Sequence, residues 1–185
     1  MAIAEQKIIN GVEVEKLEAT VNAIKEDPTL GNCKFRLHNE WIDGAHNHSN
    51  SLNFYAANRE NEHLRKFEWD ADEPPLLAGK DRGANPVEHL LNALAACVTT
   101  TIVYYAAIKG IKIEKLESHL EGELDLRGLF GISSDVRPGF RNIRIDYSVK
   151  TDEKNLDKLK AFSKFSPVFD MTSNGTSVDV TLTRI

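Results

Sequence analysis

The chain has 185 residues, with 23 Lys and Arg against 28 Asp and Glu, a formal net charge of −5, and 41% apolar and 28% charged residues. That length supports one large domain or two small ones with a hydrophobic core, and the composition is that of a soluble globular protein. The acidic balance and the lack of a basic block argue against a nucleic-acid partner, whose affinity comes from Lys and Arg set against phosphates, and against a basic membrane-targeting segment.

The opening segment MAIAEQKIINGVEVEKLEA carries acids early and no long apolar core, so no secretory signal is expected. Residues 11–26 place Val14, Leu17, Val21 and Ile24 at helical spacing above a polar face. DPTLGN breaks that pattern, and residues 1–30 read as an N-terminal helical extension ahead of a domain over 31–185. Phe35, Leu37 and Trp41 in KFRLHNEWI keep the phase of a half-buried strand over 34–42. DGAHNHSN reads as a turn. SLNFYAA and HLRKFEWD, with Leu52, Phe54 and Leu64, read as two further strands of an antiparallel meander.

ADEPPLLAGKDRGANP holds three prolines and two glycines without a clean period, and reads as a loop feeding a helix. Asn85 suits the N-cap, Pro86 the first helical position, and Glu88 the third, where it closes a capping box. The helix should run to Lys109 and stop at Gly110. It is apolar on nearly every side, which predicts the central helix of the fold; its threonines, its tyrosines and the polar residues just upstream argue against a membrane span. IKIEKLESHLEGELDLRG and FRNIRIDYSVKT then alternate as a strand pair. DEKNLDKLKAFSKF is helical, Ser166-Pro167 opens a short helix, and TSVDVTLTRI closes as a strand with Val178, Val180 and Leu182 in phase. The order is that of an α+β fold.

DEPPLLAGKDRGANPVEHLLNALAACVTTT, together with the IKIEKLESHLEGELDLRG strand and the FSPVFD turn, resembles the OsmC/Ohr family of thiol-dependent peroxidases, in its OsmC-like branch. The resemblance runs from about residue 34 to the end. Its specific part is Asn-Pro-x-Glu-x-Leu-Leu-x-Ala-Leu-Ala-x-Cys over Asn85–Cys97. It implies antiparallel sheets around a long central helix, an intertwined homodimer, and reduction of organic hydroperoxides by Cys97 in a stress or detoxification role. It also implies a small apolar or peroxide ligand, an external thiol reductant, and no cofactor or metal. The family's second, resolving cysteine corresponds to Ser166 here, which keeps a helix cap but cannot form a disulfide. The glutamate that the peroxidase branches place ten residues before the cysteine corresponds to Val87, and Glu88 follows it. On a regular helix Glu88 turns through about 900° relative to Cys97 and lies roughly 13 Å along the axis, so it is a cap or interface residue before it is a thiolate partner.

Cys97 alone reads as a small packed thiol among apolar neighbours, and with the family pattern as a reactive one. Activation would need a cation brought from elsewhere, for which Arg36 and Arg82 are the candidates before the helix. Cys33, beside Lys34, reads as a loop thiol or as a substitute resolving residue, the latter only if its Cα comes within about 7 Å of that of Cys97. The two cysteines form neither a CxxC pair nor a zinc spacing. His46 and His48 would share a face if extended, but no acid or cysteine follows at metal-ligand spacing, so a polar turn is favoured. His89 reads as an interface group, and Tyr104 and Tyr105 as core, rim or cleft aromatics. The competing function is a non-catalytic binding or scaffold protein on the same fold, or an enzyme of other thiol chemistry. Either way a cytoplasmic, reduced protein is expected.

Overall fold

The computed structural model describes residues 7–184; the first six residues of the expected N-terminal extension lie outside them. The described residues gather into two units, one holding Lys7, Ile8 and Val12–Leu90, the other Ile9–Gly11 and residues 91–184.

The first unit is built largely from tight turns. β1 (Ile8–Ile9) and β2 (Val12–Glu13) pair around Asn10-Gly11, which belong to the second unit and are both at positive φ, the geometry that Asn-Gly hairpin turns favour. The expected helix follows as α1 (Val14–Glu26), with Asp27 accepting from the Thr29 N–H at 3.0 Å to start a 3-10 turn, Pro28–Gly31. β3 (Leu37–Asp43), β4 (His46–Ser51) and β7 (Glu68–Ala71) form a three-stranded antiparallel sheet with β4 in the centre, and β5 (Phe54–Ala56) pairs with β6 (Arg59–Asn61). Two expectations are corrected here. The segment read as a turn, DGAHNHSN, turns only at Gly44 and Ala45 and then supplies β4. The strand expected over HLRKFEWD begins only at Glu68, and Leu64 is fully exposed. The cause lies upstream: Ala57 and Asn58 both take left-handed backbone and fold YAANRE into its own hairpin.

The loop before the long helix is held by backbone contact. A Cβ on Gly79 would run into the Glu73 carbonyl, and one on Gly83 into the Asp70 carbonyl. Only glycine allows these approaches, and Ala84 can then bridge to Ala71 at the end of β7.

α2 (Pro86–Ile108) starts in the first unit and continues in the second. Both of its ends follow local rules. Val87 N–H donates to Asn85 Oδ1 at 3.0 Å and Asn85 N–H to Glu88 Oε2 at 2.9 Å, a complete capping box. At the other end Gly110, at φ +69°, donates to the Ala107 carbonyl and Ile111 to that of Ala106, a Schellman stop. Among the described residues α2 is the one helix long and apolar enough to cross a membrane. It instead buries one stripe, Leu94, Val98, Ile102 and Ala106, while Leu90 and Tyr104 stay exposed. The expectation of a helix covered on nearly every side is therefore met along this stripe only.

That stripe packs on the apolar face of a hairpin made of β8 (Lys115–Glu123) and β9 (Asn142–Lys150). The antiparallel register sets Leu116 opposite Val149 and Leu120 opposite Ile145, so the period-2 alternation of both strands delivers one apolar face. A short helix, α3 (Leu126–Leu129), lies in their connection. α4 (Leu156–Phe162) adds Leu159 to the core, and α5 (Pro167–Asn174) adds Val168 and Phe169 against it. Asn10 closes this unit from far away in sequence: its amide donates to the Ile111 carbonyl at 3.0 Å and accepts from Ile113 N–H at 2.9 Å. The final strand is a further correction. Residues 175–184 form no strand, and Val178, Val180 and Leu182 are 78–94% exposed, because no strand among the described residues pairs with them.

Candidate functional site

Cys97 sits near the middle of α2, one residue before Val98 of the buried stripe. One residue turns about 100° around a helix, so the thiol stands at the edge of the core rather than in it, and it is half-buried. Its carbonyl accepts from Thr101 Oγ1 at 2.8 Å. Two residues on, and so about 200° round the helix from Cys97, Thr99 Oγ1 meets the Tyr147 hydroxyl of β9 at 3.2 Å, and burial pushes the Tyr147 phenol up. Two turns on, Tyr105 stacks on Phe165 with centroids 4.7 Å apart and leans on Phe162 at 5.2 Å. This aromatic group ties α2 to the turn that leads into α5. Tyr105 is thus a packing aromatic, whereas Tyr104 is 45% exposed.

Ser166 lies in that turn and is fully buried. Its Oγ accepts from Phe169 N–H at 3.2 Å, and Pro167 takes the first helical position, where no N–H is needed. The hydroxyl therefore performs the capping half of the position that the family resemblance assigns to a resolving cysteine. Both cysteines of the chain are free; Cys33 is exposed, ahead of β3 in the first unit.

The two candidate arginines are each committed to carboxylates. Arg36 binds Glu60 with both arms of its guanidinium, at 2.8 and 2.9 Å, and that contact raises its pKa further. Arg82 reaches Asp43 at 2.7 Å and, through Nε, Asp72 at 3.1 Å. Asp72 is almost fully buried. Burial pushes its carboxyl up, but the Arg82 side chain and the backbone N–H groups of Arg82, Glu73 and Lys80 outweigh this and bring it down to about 2. These bonds make Asp72 and Arg82 the organiser of the loop that leads into α2. Glu88 is engaged in the capping box, and Asn85 also donates to Glu73.

His46 and His48 do share a face, as extended residues two apart must. His46 Nε2 and His48 Nδ1 lie 2.9 and 3.1 Å from the same oxygen, Asp70 Oδ1, which their bonds hold below the usual carboxylate range. His89 Nε2 meets the Asp70 carbonyl at 3.1 Å. Asp70 was invisible to local reading because it arrives from β7, where it pairs directly with His48. Among the described residues no group of three or more His, Cys, Asp or Glu is placed to hold a metal ion.

The fold has counterparts among solved structures. An OsmC-like protein from Mycoplasma pneumoniae superposes with a TM-score of 0.57 at 20% identity, over 76% of this chain and 88% of that one. An organic hydroperoxide resistance protein OsmC from Legionella pneumophila gives 0.53 at 16%, over 77% and 90%. An OsmC-like protein of unknown function from Vibrio cholerae gives 0.53 at 11%, over 73% and 90%. Curated protein sequences give no match. Residues 79–181, from the glycine that closes on Glu73 through α2, the β8–β9 hairpin and α5, match the family described as OsmC-like protein, and the chain belongs to that family.

Proposed function

We infer that the protein reduces organic hydroperoxides through Cys97 in a stress or detoxification role. The observation that carries this reading is a half-buried, free thiol at the motif cysteine of α2 in an OsmC-family domain. The Cys97 thiolate attacks the distal peroxide oxygen. An S–O bond forms, the O–O bond breaks, and the alkoxide leaves and takes a proton to become the alcohol. Cys97 is left as a sulfenic acid. Ser166 offers no sulfur, so an external thiol condenses with the sulfenic acid, releasing water, and a second thiol then frees Cys97 as a disulfide departs.

The protein works as a cytoplasmic homodimer. Support comes from apolar surface the single chain leaves open: Leu90 and Tyr104 on α2, and the alternating Val178, Val180 and Leu182. The pairing of Arg36 with Glu60 and of Arg82 with Asp43 and Asp72 favours a second reading, a ligand-binding protein on the same fold, because neither guanidinium is free to hold a thiolate.

The reduced protein is exposed briefly to cumene hydroperoxide or to hydrogen peroxide with a sulfenic-acid trap present, and intact mass is read with Cys97→Ser as control. Trapping at Cys97, faster with the organic peroxide and reversed by small thiols, is the expected result. Slow oxidation, equal at Cys33 and Cys97, would leave the ligand-binding reading.

A further inference from the structure

A cleft of about 880 Å³ opens in the second unit where α2 ends and α4 begins. Its wall carries four lysines, Lys109, Lys112, Lys154 and Lys158, and two carboxylates, Glu114 and Asp152. Both carboxylates are already paired, Asp152 with Lys154 at 2.7 Å and Glu114 with Lys150 at 2.5 Å. Lys109, Lys112 and Lys158 form no ion pair with any described residue. On a chain with a net charge of −5, three unpaired ammonium groups around one cleft concentrate positive potential there. Lys109 and Lys112 follow the C-terminus of α2, where cations oppose the helix dipole. Lys158, on α4, has no such role.

Asn155 is a second and independent observation. It lines the same cleft and is only 9% exposed. Its backbone N–H bonds to the Asp152 carbonyl at 2.9 Å, but its side-chain amide makes no hydrogen bond to a described residue. The amide is not sealed off: it opens onto the basic cleft, where a ligand oxygen can take the place of water. Ile111, nearly buried, and the Phe162 ring supply an apolar wall beside it.

We propose that this cleft binds a phosphate monoester. Its dianionic head sits among Lys109, Lys112 and Lys158 and accepts from the Asn155 amide, and its organic part lies against Phe162. Lysine ammonium groups act as point charges that suit a phosphate, and three of them match a dianion better than a single carboxylate. The volume lies in the ordinary range for small-molecule sites, about 300–1,000 Å³. The site uses no part of the Cys97 chemistry and stands or falls separately from it.

Phenyl phosphate, inorganic phosphate and benzoate are titrated into the full chain by calorimetry at low salt. Phenyl phosphate is expected to bind with a Kd below about 1 mM, and the other two about tenfold more weakly. Lys158→Ala should weaken phenyl phosphate about tenfold, while Lys164→Ala, outside the cleft, leaves it unchanged. Asn155→Leu should abolish binding with little change in Tm, because the amide faces the cleft and makes no bond to a described residue. Four results would each overturn the assignment: no phenyl phosphate binding at about 10 mM, benzoate binding as tightly, Lys158→Ala without effect, or a marked fall in Tm for Asn155→Leu.

Discussion

Ser166 is where a structural role can be separated by substitution from the resolving role that the family resemblance assigns to this position. Its Oγ accepts from Phe169 N–H at 3.2 Å, and the residue is fully buried, so water cannot replace the bond. Ser166→Ala removes an N-cap, a loss of roughly 1 kcal/mol within a range of about 0.5–2, and the burial of the orphaned N–H places it in the upper half. For a chain of this size each kcal/mol moves Tm by about 2–4 °C, so a fall of about 3–6 °C is expected. Ser166→Cys should fall by a similar amount when reduced, since a thiol is a weak acceptor. Oxidation reverses the sign. A disulfide from residue 166 to Cys97 would close a loop of roughly seventy residues and stabilise by about 4 kcal/mol on the chain-entropy model. Scanning calorimetry of both variants, reduced and after one equivalent of cumene hydroperoxide, reads all of this, and intact mass should drop by about 2 Da per bridged chain. An unchanged Tm for Ser166→Ala would refute the cap. Oxidised Ser166→Cys lacking an intrachain bridge would refute the correspondence of residue 166 with the resolving position.

Acid should unfold the protein partly through Asp72. Its carboxyl is held down at about 2 in the fold, below the ordinary value of about 3.9, so it contributes stability above about pH 4 that is lost as pH falls towards 2. Asp72→Asn should flatten the fall of Tm over that window, while Asp125, which the Arg127 side chain also lowers to about 2, preserves part of the slope; identical profiles would count against the assignment. Ile102→Ala, at a site 3% exposed in the α2 stripe, should lose about 2–5 kcal/mol in urea unfolding, and a loss below about 1 kcal/mol would mean that the stripe is not the core. Amides of 178–182 should gain hydrogen-exchange protection as protein concentration rises and a second copy pairs with them; protection independent of concentration would remove this support for the dimer.

What could be read from the sequence was local. Asn85, Pro86 and Glu88 announce the start of α2 by residue type and spacing alone, and Gly110 announces its end, because caps are made within four residues of chain. The alternation in β8 and β9 was equally legible, since the partner strand follows directly and burial selects one face. The hairpin at Asn10-Gly11 carried a signal that went unused: an Asn-Gly pair between Ile9 and Val12 is a strong short-range turn pattern. Other features have no local trace. The clamp from Asn10 to Ile111 and Ile113 spans about a hundred residues, and nothing near Asn10 names its partners. His46 and His48 looked like turn residues because the carboxylate that orders them lies on β7.

The C-terminal segment shows what a pattern can and cannot specify. Val178, Val180 and Leu182 keep period 2, which selects a strand with one apolar face. A strand also needs a neighbour for its N–H and C=O groups, and alternation says nothing about which chain supplies it. Among the described residues β8 and β9 pair only with each other, so residues 175–184 are left without a ladder and their valines with solvent. The same holds for α2, whose sequence is apolar on more sides than the chain buries. An apolar edge segment and an apolar helix face, both uncovered, would be a standing aggregation hazard in a monomer. One event, pairing with a second copy, would cover both, and it would place the new surface beside the helix that carries Cys97. If the proposed dimer forms, the period-2 pattern at 178–182 would find its ladder in the second copy.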